Sequence, residues 1–433
     1  MMEDSATPRR KFSGRTGIWL AAVTLITACY FLTPYCFLSL ARSSLSDRDP
    51  QAALFWLSKA SWFGPHRGEI EFLRARCFRR MGDLEPFRSS MQAALHQGFP
   101  VSLLEREQIL MLAQVGRLRD VDARMPDILL NANEDSGEVC EAYASGLLIN
   151  FRQEEALTVI DSWSKDYPAD PQPELIRAQV MQNAGRFKET EAAYTRALKR
   201  SPSSPEIQMR LGLALLTNHK VDQAKSIFQS LLSNARYHDT ASLQLGRCER
   251  IRGDLTKCQA ALDQIREPEK LSDGDLELEK GLLALNKGEF AAAVESLESV
   301  KYQRPRSLEV GSALAAALRG VGRVDEAATE ALRVADSEAK LGHADKLQVE
   351  VASDPNNLER RLEIGKILLE HGDPKRGVSW VQSVLNLDPN HRHANLVLAE
   401  YYQSLGSTSK ENAKLAKLYL ERAESPTRPV NGP

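Results

Sequence analysis

The chain has 433 residues, of which 42% are hydrophobic and 26% charged, a composition typical of folded protein. Its 56 basic and 58 acidic residues leave a net charge of -2, which excludes the strongly basic surface expected of a nucleic-acid-binding protein. Six cysteines occur without a C-x-x-C pair or a regular spacing to histidine, so neither a disulfide framework nor a structural zinc site is expected. Cys248 and Cys258 are the only pair worth testing for a bridge.

No charged residue occurs from Thr16 to Ala41, a run of 26 residues that follows four basic residues between positions 9 and 15. A helix needs about 20 apolar residues to cross a bilayer, and basic residues before a first span favour the cytoplasmic side. The sequence therefore predicts a basic cytoplasmic tail over 1–15 and a transmembrane anchor over 16–41. The rest of the chain would lie on the periplasmic or extracytoplasmic side of a cell inner membrane.

Three other interpretations of this segment stay open. Residues 26–29 resemble a bacterial lipoprotein cleavage box, which would leave Cys29 lipidated, although apolar residues continue past it. A cleaved signal peptide is disfavoured by the length of the apolar run, and the twin-arginine match at residues 9–12 is short. Pro34 is expected to bend or end the membrane helix, because proline lacks a backbone donor.

From about Pro34 to Ala423 a unit of 34 residues recurs, which indicates stacked helical hairpins rather than one globular core. Glycines at one phase of the unit are Gly116, Gly185, Gly253, Gly288, Gly322, Gly372 and Gly406. With that glycine numbered 15, units start at Gly68, Ser102, Gly137, Pro171, Pro205, Asp239, Gly274, Leu308, Leu358 and Arg392. Small residues recur at positions 8 and 20, large apolar residues at position 24 and prolines at position 32. The pattern predicts two helices per unit that cross closely at the small residues.

The stretch from Gly185 to Phe187, followed by Tyr194, Ala197 and Pro202, resembles the tetratricopeptide repeat (TPR) family. This resemblance implies an all-α, right-handed α-solenoid of about ten TPR hairpins over residues 47–424, followed by a polar tail at 425–433. Two departures stand out. Residues 47–65 match a second helix alone, so the first helix of that unit is expected to be the end of the membrane segment. An insertion at 335–353 is expected to extend a second helix through Lys346.

By the same resemblance, positions 2, 5, 9 and 12 of each first helix line a concave groove. The predicted partner-binding groove consists of Met209, Leu213, Leu216, Leu243, Arg247, Arg250, Leu278, Leu282 and Leu285. Arg76, Arg79 and Arg106 lie further off. Such a groove would bind a protein or peptide segment with apolar anchors and an acidic portion. The alternative, that these leucines pack against neighbouring helices, stays open.

The sequence contains no phosphate loop, G-x-S-x-G elbow or H-E-x-x-H motif, and its two S-x-x-K strings lack the accompanying motifs. His391 and His393 are expected in a solvated turn rather than at a metal. We therefore expect no enzyme activity, cofactor, metal or small-molecule substrate. The predicted function is a membrane-tethered protein-protein interaction scaffold in envelope assembly, secretion or complex maturation. A targeting receptor resembling organelle import receptors and a lipoprotein-type assembly factor are the alternatives.

Overall fold

A computed structural model describes residues 33–63, 66–131, 135–272, 274–406 and 409–424. Over these residues the secondary structure is helical throughout, with no strand. The chain divides into two compact units, residues 1–115 and 116–433, which are described separately. The helices of the first unit are α1 (33–46), α2 (Pro50–Ala60), α3 (Arg67–Met81), α4 (Leu84–His96) and α5 (Val101–Gln114).

The second unit starts with a 3-10 turn (Leu118–Asp120) and a short helix, α6 (Met125–Leu130). Eight antiparallel hairpins follow among its described residues. Their helices are α7 (Ser136–Ile149), α8 (Gln153–Asp166), α9 (Gln172–Asn183), α10 (Phe187–Arg200), α11 (Pro205–Thr217), α12 (Val221–Leu231), α13 (His238–Ile251), α14 (Leu255–Leu262), α15 (Asp275–Lys287), α16 (Phe290–Gln303), α17 (Leu308–Gly320), α18 (Val324–Ser353), α19 (Leu358–His371), α20 (Pro374–Leu387), α21 (Arg392–Ser404) and α22 (Lys410–Glu424). The α-solenoid architecture expected from the 34-residue period is therefore present.

Position 8 of the unit is where the two helices of a hairpin approach most closely. A Cβ atom added to Gly212 would lie 2.5 Å from the ring of Phe228, and one added to Gly281 would lie 2.8 Å from the side chain of Leu297. Phe228 and Leu297 both occupy position 24 of the same units, and both are completely buried. The hairpin geometry thus follows from a small residue at position 8 opposite a large one at position 24.

The first helix of the first hairpin comes from the end of the uncharged run, as expected from the match of residues 47–65 to a second helix alone. Residues 33–46 form α1, whose Leu38, Ala41 and Leu45 are buried against the apolar face of α2. Residues 33–41 of the predicted anchor are therefore part of the first helix of this hairpin, because α2 needs an apolar partner to cover Ala53 and Leu57.

The remaining predictions for the N-terminus concern residues that the structure does not describe. Thr16 to Leu32, the basic tail and Cys29 all lie outside the described residues, as does the polar tail at 425–433. In the parts of the chain that are described, no helix combines the length and the apolar composition needed to cross a bilayer.

The insertion forms part of a single long helix. α18 continues unbroken for 30 residues and passes Lys346 to end at Ser353. Ala344, Leu347 and Val351 in its added turns are buried, and they pack with Ile364 and other apolar residues of α19 and α20. The added turns therefore supply apolar surface that a unit of 34 residues does not have.

A buried ion pair ties α18 to α16. The carboxylate of Glu330 accepts hydrogen bonds from Nζ of Lys301 and, at 2.7 Å, from Nη2 of Arg333. Burial alone would raise the pKa of Glu330, but the hydrogen bonds from Arg333 and Lys301 outweigh burial, so its pKa is lowered. Glu330 is accordingly ionised in the folded protein at neutral pH.

Candidate partner-binding face

The first helices of three successive hairpins, α11, α13 and α15, carry all nine residues predicted to bind a partner, and α17 is the first helix of the next hairpin. α15 contacts both α13 and α17, so α13, α15 and α17 lie side by side along one face of the second unit, and α11 shares an apolar cluster with α13. We call the accessible surface formed by Leu213, Leu216, Arg247, Leu285 and Glu309 the partner face.

Four of the predicted groove residues are buried in the packing between helices. Met209, Leu243, Leu278 and Leu282 belong to three apolar clusters and are less than a tenth exposed. These side chains stabilise the hairpin stack and present no accessible floor, as the alternative interpretation of the leucine pattern expected.

The other predicted leucines reach the surface to different extents. Leu213 is 39% exposed, whereas Leu216 and Leu285 are half-buried at the edges of apolar clusters. Leu213 is therefore the apolar side chain of the face that a partner can cover most fully.

An ion-pair ladder crosses the same helices. The Nε atom of Arg250 lies 2.8 Å from Oε2 of Glu279, and Nε of Arg247 lies 3.2 Å from Oε1 of the same carboxylate. The Nη2 atom of Arg247 also reaches Oε1 of Glu309 at 3.1 Å, so one guanidinium on α13 joins both α15 and α17. Glu279 is buried, and Glu309 is exposed.

The ladder changes the charge expected for a partner. Both arginines that were predicted to attract an acidic segment already pair with a carboxylate, and Arg250 is largely covered. Sequence reasoning missed Glu279 and Glu309, which stand at positions 6 and 2 of their units. The sequence signal that could have predicted the ladder is the arginine pair on α13 followed by a glutamate on each of the next two first helices, α15 and α17.

Two of the more distant arginines, Arg76 and Arg79, also pair with a carboxylate. Arg79 is buried, pairs with the carboxylate of Glu107 and donates from Nη1 to Oε1 of Gln114 at 2.8 Å. Nε of Arg76 also lies 4.0 Å from Glu107. These contacts hold α3 against α5.

A contact between distant parts of the second unit lies apart from the partner face. Phe151, in the turn between α7 and α8, stacks on Trp380 of α20 with ring centroids 3.5 Å apart. The Arg361 side chain lies 5.2 Å from the Phe151 ring, and its Nη2 donates to the carbonyl of Asn150 at 2.9 Å. We call Phe151, Arg361 and Trp380 the clasp.

The clasp joins residues that are more than 200 positions apart in the chain. The hairpins from α8 to α18 therefore lie between two segments of the second unit that contact each other at the clasp. Phe151 also packs on the cluster that contains Leu347 and Val351, so the insertion in α18 forms part of the surface that Phe151 contacts. Arg361 is 1% exposed, and burial lowers its pKa to about 10.

The backbone at Phe151 is unusual. Phe151 and His219 both stand at position 15, where most units have glycine, and both have a φ of 59°. Residues other than glycine adopt this left-handed conformation at an energetic cost. Phe151 is packed in the clasp, whereas His219 is exposed. An aromatic residue at the glycine phase was the sequence signal for the clasp.

The two cysteines proposed as a possible pair are separate thiols in the structure. Cys248 and Cys258 are completely buried. Burial, with a smaller contribution from Glu249, raises the pKa of the Cys248 thiol to about 12, and burial raises that of Cys258 to about 11. Such thiols are poor nucleophiles at neutral pH.

The histidines at residues 391 and 393 lie at the start of α21. Nδ1 of His391 accepts a hydrogen bond from the backbone N–H of Ala394 at 3.2 Å, so this side chain caps α21. Across the described residues no three His, Cys, Asp or Glu side chains converge as metal ligands.

Comparison with known proteins identifies the repeat. A family model described as a tetratricopeptide repeat matches residues 183–236, which include α10, α11 and α12. Residues 183–236 therefore carry tetratricopeptide repeat sequence. The TPR repeat-containing protein YpiA of Bacillus subtilis (strain 168) is 23% identical over 273 residues. That match covers 61% of this chain and 59% of YpiA, so the chain spans less than two thirds of that relative.

Solved structures of similar repeat proteins include PilW, described as a type IV pilus biogenesis factor. PilW is 16% identical with a TM-score of 0.39, over 45% of this chain and 90% of PilW. A tetratricopeptide repeat protein from Parabacteroides merdae is 14% identical with a TM-score of 0.39, over 66% of this chain and 99% of that protein. Likeness at this level carries no argument about function.

Proposed function

We propose that the protein is a membrane-tethered scaffold that binds a segment of a protein partner on the partner face, in envelope assembly, secretion or complex maturation. Two observations carry this proposal. Leu213 is exposed on α11, which shares an apolar cluster with α13, and Arg247 joins α13 to α15 and α17. Repeats of this type present rows of first-helix side chains along one extended surface.

The chemistry of the face defines the partner more closely. One apolar side chain of the partner would cover Leu213, and a polar stretch would follow the ladder at Arg247 and Glu309. Because the ladder contains carboxylates as well as guanidinium groups, hydrogen-bonding side chains suit it better than a run of acidic residues. The partner segment is therefore amphipathic and close to neutral.

The tether rests on the sequence. Thr16 to Leu32 contains no charged residue and directly precedes α1, and four basic residues lie just upstream. This order favours an inner-membrane location with the repeats on the extracytoplasmic side. A targeting receptor that resembles organelle import receptors would place the repeats in the cytoplasm instead. Protease access to the repeats in sealed membrane vesicles separates these two functions.

The test of the scaffold function compares proteins that co-purify from native membranes with three forms of the chain. The first is wild type, the second combines Leu213→Glu with Arg247→Gln, and the third carries Leu332→Glu, a matched change at an exposed leucine of α18. Circular dichroism establishes that all three are equally helical. We expect partners that are lost only from the second form. An unchanged set of partners would contradict the proposal.

A further inference from the structure

The first unit exposes a cluster of aromatic residues on its first hairpin. Trp62 is 73% exposed, Tyr35 is 55% exposed, and Phe55 is 53% exposed. Nζ of Lys59 lies 4.6 Å from the Trp62 ring and 5.3 Å from the Phe55 ring, so the amine links two of these side chains. Three exposed aromatic side chains on one small helical hairpin indicate contact with another phase or molecule.

Tyr35 and Trp62 lie at the same end of the hairpin. The short turn after α1 makes α2 antiparallel to it, so the end of α2 returns to the start of α1. Contacts between the rings support this arrangement. The ring centroids of Phe63 and Phe37 lie 6.3 Å apart, and those of Tyr35 and His66 lie 4.5 Å apart. This is also the end at which the chain enters the unit from its N-terminal side.

The chain that precedes this end has the composition of a membrane segment. The 17 residues from Thr16 to Leu32 are uncharged, and α1 is described from residue 33 onward. Tyr35 lies three residues after Leu32, within the same uncharged run, which continues to Ala41. Tryptophan and tyrosine are enriched where proteins cross the headgroup region, and a lysine there extends its amine toward water while its alkyl chain stays in apolar surroundings.

We propose that Tyr35, Phe55, Lys59 and Trp62 form an interfacial docking face that rests on the lipid headgroup region of the membrane holding the N-terminal segment. The occupant is the bilayer itself rather than a protein, because the face lies beside the uncharged stretch and pairs amphipathic rings with one cationic side chain. Docking holds the first hairpin against the membrane surface, so this hairpin does not move freely on a flexible linker. This inference rests on the membrane tether proposed above.

The experiment measures quenching of Trp62 fluorescence by brominated lipids. Full-length protein is reconstituted into vesicles of phosphatidylcholine and phosphatidylglycerol, with bromine placed either near the headgroups or deep in the acyl chains. The signal of Trp62 is the difference between wild type and Trp62→Phe. Trp163→Phe provides the matched control, because Trp163 is completely buried in the second unit. Flotation on a density gradient is measured on the same samples.

Three results are distinguishable. Flotation together with shallow-bromine quenching of the Trp62 signal, and none of the Trp163 signal, is the result expected. If the protein floats but the Trp62 signal is unquenched, the docking face is wrong while the tether stands. If wild-type protein stays at the bottom of the gradient, both the tether and the docking face are wrong.

Variants at the face provide an independent measure. Phe55→Ser with Trp62→Ser is expected to at least halve shallow quenching of Trp56, because the hairpin is no longer held at the surface. In each protein the Trp56 signal is the difference from the same protein carrying Trp56→Phe. Tyr302→Ser, at a 90% exposed aromatic of the second unit, is expected to leave it unchanged. Equal quenching of Trp56 in all three proteins would overturn the proposal that this face docks.

Discussion

Replacement of Phe151 by glycine sets two opposite effects against each other at the clasp. Glycine relieves the left-handed backbone at φ 59°, but it removes the ring that stacks on Trp380 and lies beside Arg361. The outcome depends on which effect is larger, and His219 provides the control. His219 has the same φ and is exposed, so only the backbone effect operates there.

The magnitudes favour the packing effect. Left-handed backbone costs about 1–2 kcal/mol for a residue other than glycine, and glycine itself loses roughly 0.5–1 kcal/mol more chain entropy on folding. His219→Gly is therefore expected to stabilise the fold by about 0.5–1 kcal/mol. Truncation of a fully buried phenylalanine costs about 3–5 kcal/mol of stability. The ring of Phe151 is half-buried, so its truncation costs roughly half of that, and loss of the stacking contact costs about 0.5–1.5 kcal/mol more. Phe151→Gly is then destabilising by a net ~2 kcal/mol.

The assay is amide hydrogen exchange, because a repeat protein can open locally without unfolding as a whole. A loss of ~2 kcal/mol corresponds to roughly 30-fold faster exchange where opening of the clasp exposes amides. We expect this acceleration in α19 and α20, which carry Arg361 and Trp380. We do not expect it in α11 and α12, although these helices lie closer to Phe151 in the sequence. Stabilisation by Phe151→Gly equal to that of His219→Gly would refute the reasoning, because the clasp would then contribute nothing.

Other predictions concern the fold and its titrating groups. Glu330→Gln should lower the denaturation midpoint at pH 7. The pKa of Glu330 is lowered in the folded protein, so the stability that the ionised carboxylate contributes is present above the unfolded pKa of about 4.3. This stability is lost as the pH falls through the folded pKa. Gly281→Ala should destabilise by about 1–3 kcal/mol through overpacking, whereas Gly342→Ala, with nothing within 4 Å, should stabilise by roughly 0.5–1 kcal/mol in thermal unfolding. Mass-spectrometric mapping of iodoacetamide labelling in native protein at pH 7.5 should show Cys36 modified and Cys248 unmodified, because Cys36 is exposed and burial raises the pKa of Cys248.

Each of these predictions has a result that would contradict it. A difference between Glu330→Gln and wild type that persists undiminished at pH 2 would show that the lost stability does not come from the ionised carboxylate. Equal effects of the two glycine substitutions would show that close helix crossing at position 8 does not limit packing. Labelling of Cys248 as fast as Cys36 would show that its hairpin opens readily in the native protein.

The 34-residue period made most of the hairpin architecture predictable. A small residue at position 8 and a large one at position 24 are local features, and Gly212 with Phe228 shows that their spacing alone sets the helix crossing. The boundary between the predicted anchor and the first hairpin was harder to predict, because an apolar helix that packs on α2 has the same composition as one that enters lipid. Leu38 and Ala41 could serve either purpose.

The site was less predictable than the fold. A leucine at a first-helix position faces a neighbouring helix or water depending on a small rotation of that helix, which the sequence does not specify, so Leu243 and Leu213 share a pattern but differ in exposure. The clasp could not be predicted from local periodicity because its partners lie in distant hairpins. Phe151 at a glycine phase and the insertion in α18 were each visible in the sequence, but their contact was not.

The most direct test of the partner face is photocrosslinking in living cells. A benzoylphenylalanine residue replaces either Leu213 or Leu332, and crosslinked products are isolated and identified by mass spectrometry. The scaffold account predicts one discrete product from position 213, reduced by Arg247→Gln, and none from the exposed control position. Discrete products from position 332 with none from position 213 would contradict the account, because the partner would then bind on the second helices.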